Sequence, residues 1–332
     1  MRSALLSLQM VPVLELRGLS KRYPGHTAVD GISLSIPRGA FYSLLGPSGC
    51  GKTTTLRLIA GLEAPDSGEI YLNGESISHL RPYERNVNTV FQNYALFPHL
   101  TVEGNIGFGL RHKRSDDIGR RVRETLQLVQ LEGKENRYPS ELSGGERQRA
   151  ALARSLVLEP AVLLLDEPLA ALDQKLRKQM RAELKSLQRR VDITFLFVTH
   201  DQEEALSLSD CIAVMNQGRI EQIGAPQEVY LRPRTRFVAG FLGAVNWING
   251  AGVRPETTHI SRVIPEGDVR VCPATVESSV FLGNCFHVEA RLATGIPVIA
   301  EVPRHDDTYE SGESVHVWWR TSDELTFEHE SE

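Results

Sequence analysis

The residues best placed to do chemistry are Gly46, Pro47, Ser48, Gly49, Cys50, Gly51, Lys52 and Thr53, which together fit the pattern G-x-x-x-x-G-K-[ST]. Glycines in such a loop let the backbone turn tightly and aim successive N–H groups inward, making a concavity for phosphate oxygens. A helix starting beside Thr54 would add the positive end of its dipole. Lys52 then reaches the β- and γ-phosphates of a nucleoside triphosphate, and the Thr53 hydroxyl reaches Mg²⁺. The plain alternative is a Gly-rich turn. Against it stand Phe41-Tyr42-Ser43-Leu44-Leu45, which reads as a buried strand, and Thr54 to Ala60, which reads as a helix closed by Gly61.

Two adjacent carboxylates, Asp166 and Glu167, close the apolar run Ala161-Val162-Leu163-Leu164-Leu165, 114 positions beyond Lys52. Pairs of acids are usually surface residues. After a Leu-rich strand in a chain with a phosphate loop, Asp166 instead fits the acid that holds Mg²⁺. Neighbouring side chains diverge at a strand end, so Glu167 is free to polarise water while Asp166 stays with the metal. A second run, Thr194-Phe195-Leu196-Phe197-Val198, ends in Thr199-His200-Asp201. The segment Leu142-Ser143-Gly144-Gly145-Glu146-Arg147-Gln148-Arg149 carries an S-x-x-E capping box before a helical face. A capping box needs no paired glycines. Gly144 and Gly145 at a helix start permit close approach of a phosphate, so this is a second anion site in the chain.

These groups need a scaffold. Alternation in Val13 to Arg17 and in Ile32 to Ile36 predicts antiparallel strands leading to the phosphate loop, and Ser67 to Gly74 a short edge pairing. Ile118, Val122, Leu126 and Val129 recur at helical spacing, as do Leu176, Met180, Leu184, Leu187 and Val191. Basic residues on the second of these helices, from Lys175 to Arg190, read as a solvated face rather than a nucleic-acid patch. The runs at 161–165 and 194–198 are strands covered on both faces, as in a parallel sheet, and their carboxyl ends are where such sheets place ligands. Another run, Cys211 to Met215, is similar. Arg232-Pro233-Arg234-Thr235-Arg236 reads as a linker. Beyond it, pieces such as Val269-Arg270-Val271, Phe286 to Ala290 and Ser314 to Trp318 predict a small all-β module.

Composition agrees with two domains in 332 residues, at 41% hydrophobic and 24% charged. Residues 1–239 carry 31 Lys and Arg against 27 Asp and Glu, whereas residues 240–332 carry 6 against 15. The sign change marks a compositional boundary near 240 and argues against nucleic-acid binding by the tail. Cys50, Cys211, Cys272 and Cys285 are too scattered for a zinc site or disulfide framework, which points to a reducing cytoplasm. No run of 18 apolar residues exists, so a membrane role would come through another protein. Residues 1–12 read as a frayed extension, with Met10 as an alternative start.

The motifs taken together resemble the ATP-binding cassette ATPases, the motor subunits of importers, over roughly residues 13–235. Leu142 to Gln148 is similar to that family's signature sequence. The resemblance implies an α/β fold, a P-loop NTPase with a RecA-like core, an antiparallel β subdomain and a helical subdomain at about 93–158. It also implies ATP and Mg²⁺ as ligands. Tyr23 in Lys21-Arg22-Tyr23-Pro24 resembles the aromatic that stacks on adenine. Gln92 resembles the glutamine that meets Mg²⁺ and the attacking water, Asp173 the D-loop acid, and His200 the switch histidine at the γ-phosphate. Ala170 departs from the serine of many relatives, which leaves a hydroxyl contact across the subunit interface unsupported. Residues 240–332 resemble the transport-associated OB-like (TOBE) module of importers for polyamines, iron or phosphonates, with Val253-Arg254-Pro255-Glu256 as marker.

The expected assembly is a second copy of the chain paired head to tail, membrane-spanning permease subunits and, indirectly, an extracytoplasmic solute-binding protein, at the cytoplasmic face of the membrane. The rival is a non-transport cassette ATPase acting on nucleic acid or the ribosome, disfavoured by the single cassette and the acidic β tail. A GTPase is disfavoured because no N-K-x-D motif is present.

Overall fold

The computed structural model describes residues 12–112, 116–170 and 172–327; the expected extension lies outside these apart from Pro12. By internal contacts it divides into two compact units, 1–226 and 227–332, earlier in the chain than the change of charge near 240.

In the first unit, β1 (Pro12–Tyr23) and β2 (His26–Pro37) form a hairpin whose register closes with Tyr23 opposite His26. The fully buried β3 (Phe41–Leu45) runs into the phosphate loop and α1 (Lys52–Ala60). Gly61 ends α1 with φ of 75°, its N–H on the carbonyls of Arg57 and Leu58. Next come β4 (Ser67–Leu72), β5 (Glu75–Ser76), β6 (Val87–Val90), α2 (Val102–His112), α3 (Ile118–Leu128) and α4 (Gly144–Leu156). The unit continues through β7 (Val162–Asp166), α5 (Gln174–Val191), β8 (Thr194–Thr199), α6 (Gln202–Leu208), β9 (Cys211–Asn216) and β10 (Arg219–Gly224).

Two sheets result. One is antiparallel, in the order β2-β1-β4-β5; the other has six strands, in the order β10-β9-β3-β8-β7-β6, parallel except for β10. Period-two alternation splits the central strands between two cores. Phe41, Leu163, Leu165, Phe195 and Phe197 pack with residues of α2 to α5 such as Ile106, Val122, Leu152 and Met180. Tyr42, Leu44, Leu164, Leu196 and Val198 pack with Leu56 and Ile59 of α1 and with Leu14, Leu16 and Ile70 of the antiparallel sheet. Neither face of the parallel strands meets water, which explains their uninterrupted apolar sequences. Register also sets function: Leu45 pairs with Thr199, and Asp166 with Val198, so the phosphate loop, Glu167 and His200 leave the sheet at one edge.

The second unit holds most of α7 (Pro226–Leu231), then α8 (Arg236–Phe241), β11 (Asn246–Ile248), β12 (Ala251–Val253), β13 (His259–Ser261), β14 (Val269–Phe281), β15 (Cys285–Leu292), β16 (Pro297–Pro303) and β17 (Ser314–Arg320). Its main sheet is antiparallel, in the order β13-β17-β14-β15-β16, over a core of Val276, Val288, Val298 and Val317. The Arg232–Arg236 run is not a bare linker, because the Thr235 hydroxyl accepts the Val238 N–H at 3.2 Å and starts α8. Arg254 is 3% exposed. It lies over the Tyr230 ring and donates to the carbonyls of Ala239, at 2.9 Å, and Ala244, at 3.2 Å, so this basic residue serves as an internal brace. Among the described residues no helix is long and apolar enough to cross a membrane.

Candidate active site

The phosphate loop leaves no room for side chains where it meets its neighbours. A Cβ on Gly46 would lie 2.3 Å from the Met215 carbonyl oxygen, and one on Gly51, where φ is 103°, 2.1 Å from that of Ala28. Lys52 opens α1 yet is only 5% exposed. Its Nζ donates to the carbonyls of Gly46 at 2.8 Å and Pro47 at 2.9 Å, so the ammonium lies folded onto its own loop. Burial pushes the Cys50 thiol up, against the pull of that ammonium. The cleft of about 280 Å³ at this point is lined by loop and helix residues including Gly49, Lys52, Thr53 and Thr54, by Glu167, and by His26 from β2.

Beside the loop, the Thr53 hydroxyl donates to Asp166 Oδ1 at 3.2 Å. Burial is the largest influence on Asp166 and pushes its carboxyl up; the Thr53 hydrogen bond opposes this and the neighbouring Glu167 reinforces it. A half-buried carboxylate beside a hydroxyl is an all-oxygen donor set suited to Mg²⁺, which takes one or two protein ligands and completes its octahedron with water and phosphate oxygens. Among the described residues no group of three or more His, Cys, Asp and Glu is placed to hold a metal ion.

Glu167 steps off the end of β7 with φ of 45°, its N–H donating to the Val198 carbonyl at 3.0 Å. That left-handed turn points its carboxylate to the sheet edge, where Oε1 lies 3.0 Å from His200 Nδ1. Gln92 stands two residues past β6, exposed, and has no hydrogen bond to Thr53 or Asp166 among the described residues. Two and three positions further on, Tyr94 and Ala95 both have positive φ, and Arg154 of α4 donates to their carbonyls, to Tyr94 at 3.1 Å and Ala95 at 2.7 Å.

Other sequence-predicted residues lie elsewhere. Tyr23 stacks on His26 with centroids 5.5 Å apart, and its hydroxyl donates to Glu63. Ser143 caps α4 in a capping box, its N–H donating to Glu146 Oε2 at 2.8 Å. Asp173 caps α5 by accepting the Leu176 N–H at 3.0 Å. Ser143, Gly144, Gly145 and Asp173 do not line the phosphate-loop cleft of their own chain. Sequence reasoning missed His26 and Glu63, because a hairpin register and a 40-residue hydrogen bond bring them in.

Comparison with known proteins identifies the architecture. The family described as ABC transporter matches residues 29–170, and that described as TOBE domain matches residues 251–327. The chain is 46% identical over 350 residues to the spermidine/putrescine import ATP-binding protein PotA of Trichormus variabilis, covering 93% of this chain and 92% of the relative. It belongs to the ABC transporter family. Within that family it is an ATP-binding, ATP-hydrolysing subunit of importer type with a TOBE domain. To PotA of Shigella boydii serotype 4 it is 52% identical over 282 residues, covering 84% of this chain and 74% of the relative. Among solved structures, cbiO1 of Clostridium perfringens, part of the ABC transporter complex cbiONQ, aligns with a TM-score of 0.61 at 32% identity, covering 66% of this chain and 90% of that one. The dimeric ATP-binding cassette MJ0796 bound to ADP and Pi aligns with a TM-score of 0.57 at 32% identity, covering 64% and 98%.

Proposed function

We propose that two copies of this cassette pair head to tail and bind ATP between them, the phosphate loop of one facing Ser143, Gly144 and Gly145 of the other. One observation carries this: Ser143 caps α4 and the paired glycines Gly144 and Gly145 open it, a helix start that admits a phosphate, yet none of the three lines the phosphate-loop cleft of its own chain. The dimeric relative holding ADP and Pi supports it.

In this reading Gly46 and Pro47 shape the loop and the N–H groups from Ser48 to Thr54 cradle the phosphates, while the Lys52 ammonium moves from the loop carbonyls to the β- and γ-phosphate oxygens. The Tyr23 ring stacks on adenine. Thr53, Asp166 and Gln92 hold Mg²⁺, whose contribution is to neutralise charge on the β- and γ-phosphate oxygens. Glu167 accepts a proton from the attacking water, a role worth about 10²–10⁴-fold in rate. His200 holds the Glu167 carboxylate by their hydrogen bond and reaches the γ-phosphate. Asp173 lies at the interface between copies.

Closure of the two copies is passed to a permease through residues 92–109. Phe97 and Phe108 lie 4.5 Å apart there, beside His112, in a half-buried aromatic row. The fully buried Asn105 ties the Phe97 N–H and the carbonyls of Leu100 and Thr101 into one rigid turn. Such a surface receives a helix of a membrane-spanning subunit, with the cassette peripheral at the cytoplasmic face and the solute delivered by an extracytoplasmic binding protein.

The solute class is a polyamine, supported by likeness to the PotA proteins across more than nine-tenths of the chain. Assembled with its permease and binding protein in liposomes, the cassette should hydrolyse ATP faster with spermidine or putrescine than with sulfate or ferric iron. Stimulation by another solute class alone would move the assignment.

A further inference from the structure

We infer that Glu63 is a positioning residue that fixes the Tyr23 ring relative to the phosphate loop, so that base and triphosphate are bound as one unit. The inference rests on the nucleotide reading above. Tyr23 lies at the tip of the β1–β2 hairpin, next to the exposed Pro24-Gly25 turn, where a ring would otherwise hang from a free two-stranded end. Its hydroxyl donates to one oxygen of Glu63, and the other oxygen of Glu63 lies 3.6 Å from the Arg57 guanidinium. Arg57 belongs to α1, the helix that opens with Lys52 and Thr53. Thr54, on the first turn of that helix, lines the phosphate-loop cleft. The base platform is therefore fastened to the helix that presents the phosphate site.

A second set of contacts runs alongside. Asp66 accepts the Arg22 N–H at 2.6 Å and lies 3.2 Å from Lys21 Nζ, which also donates to the Ala64 carbonyl at 2.8 Å. Residues 21–23 are thus laced to 63–66, a loop whose start is set by the left-handed Gly61. Glu63 holds the phenol hydroxyl, while His26 stacks on the ring and Lys21 Nζ lies 5.7 Å from its centroid. His26, stacked on Tyr23 and lining the cleft, continues the aromatic surface from the hairpin tip toward the phosphate loop. A ligand held at both ends gains from having the distance between its two sites already set.

The full-length chain with Mg²⁺ supplies the test, comparing ATP with inorganic tripolyphosphate by calorimetry and steady-state hydrolysis. Loss of one hydrogen bond from the acceptor side predicts that Glu63→Ala raises the Kd and KM for ATP about 3–10-fold, with kcat and the tripolyphosphate Kd changed less than about twofold. Glu63→Gln, which keeps an acceptor oxygen, should restore most of the affinity. Tyr23→Phe should weaken ATP as Glu63→Ala does, and the double variant should be no weaker than either, because both remove the same bond. An unchanged ATP Kd in Glu63→Ala, an equal loss for tripolyphosphate, or additive effects in the double variant would overturn the inference. Should Glu63→Ala not fold, Tyr23→Phe measured on ATP against tripolyphosphate decides the matter alone. Tyr23→Ala separates the two levels: if it leaves ATP binding intact, the adenine reading itself fails, whereas weak ATP binding there with normal binding in Glu63→Ala removes only the role of Glu63.

Discussion

Glu167 and His200 face each other across the ends of adjacent parallel strands, with Oε1 of the glutamate 3.0 Å from Nδ1 of the histidine. The contact is set by the backbone: β7 and β8 pair with Asp166 opposite Val198, and the left-handed Glu167 turns its carboxylate toward the strand that ends at Thr199. Glu167 of this pair lines the cleft that holds Lys52 and Thr53.

Removing the charge of Glu167 should separate binding from turnover. Glu167→Gln keeps the side-chain shape and a hydrogen-bonding oxygen toward His200, so ATP affinity should stay within about threefold while hydrolysis falls roughly 10²–10⁴-fold. Single-turnover hydrolysis beside equilibrium ATP binding measures both. Near wild-type turnover would remove Glu167 as the base.

The loop should tolerate nothing larger than glycine at position 51. A methyl group there would meet the Ala28 carbonyl oxygen at 2.1 Å, on a backbone at φ of 103°. Gly51→Ala should cost of order 1–3 kcal/mol in urea unfolding and abolish ATP binding. A variant with unchanged unfolding and ATP affinity would mean that the loop adapts freely.

Acid should loosen the α4 tip in a defined window. The Ser143 backbone N–H, then Lys134 and the Ser143 hydroxyl, hold the Glu146 carboxyl down at about 2, below its ordinary 4.5. Because the folded value is the lower one, its contribution to stability is complete above about pH 4.5 and fades as pH falls toward 2. Amide exchange at residues 144–147 should therefore accelerate across that interval, and Glu146→Gln should flatten the profile. An identical profile in the variant would assign the acid sensitivity elsewhere.

Much of this site is legible in the amino-acid sequence, for physical reasons that differ by residue. The phosphate loop is contiguous, so its glycines, Lys52 and Thr53 declare themselves by spacing alone. Asp166 ends, and His200 follows, a strand whose two-sided burial leaves it plainly apolar. The Tyr23–Glu63 bond spans 40 positions and depends on hairpin register, and the positive φ of Glu167, Tyr94 and Ala95 has no signature in residue type. Thr235 is hidden for the opposite reason. Its run of Arg and Pro has a linker's composition, and only the local hydrogen bond to Val238 makes it a helix start.

Arg154 should matter more than its place on the far end of α4 suggests. It is the donor to the carbonyls of Tyr94 and Ala95 and stacks 5.3 Å from Phe97, joining the signature helix to the segment after Gln92. Arg154→Ala should destabilise the chain by about 1–3 kcal/mol and speed exchange most at residues 92–99. A uniform change across the unit would assign Arg154 to general packing.

In the proposed dimer, nucleotide closes two chains on each other. Sedimentation of Glu167→Gln with ATP and Mg²⁺ tests it most directly. The expected result is a species of twice the chain mass that reverts on removing ATP and fails to form when Ser143→Arg is added. A single-chain species under saturating ATP, unaffected by Ser143→Arg, would contradict the composite site.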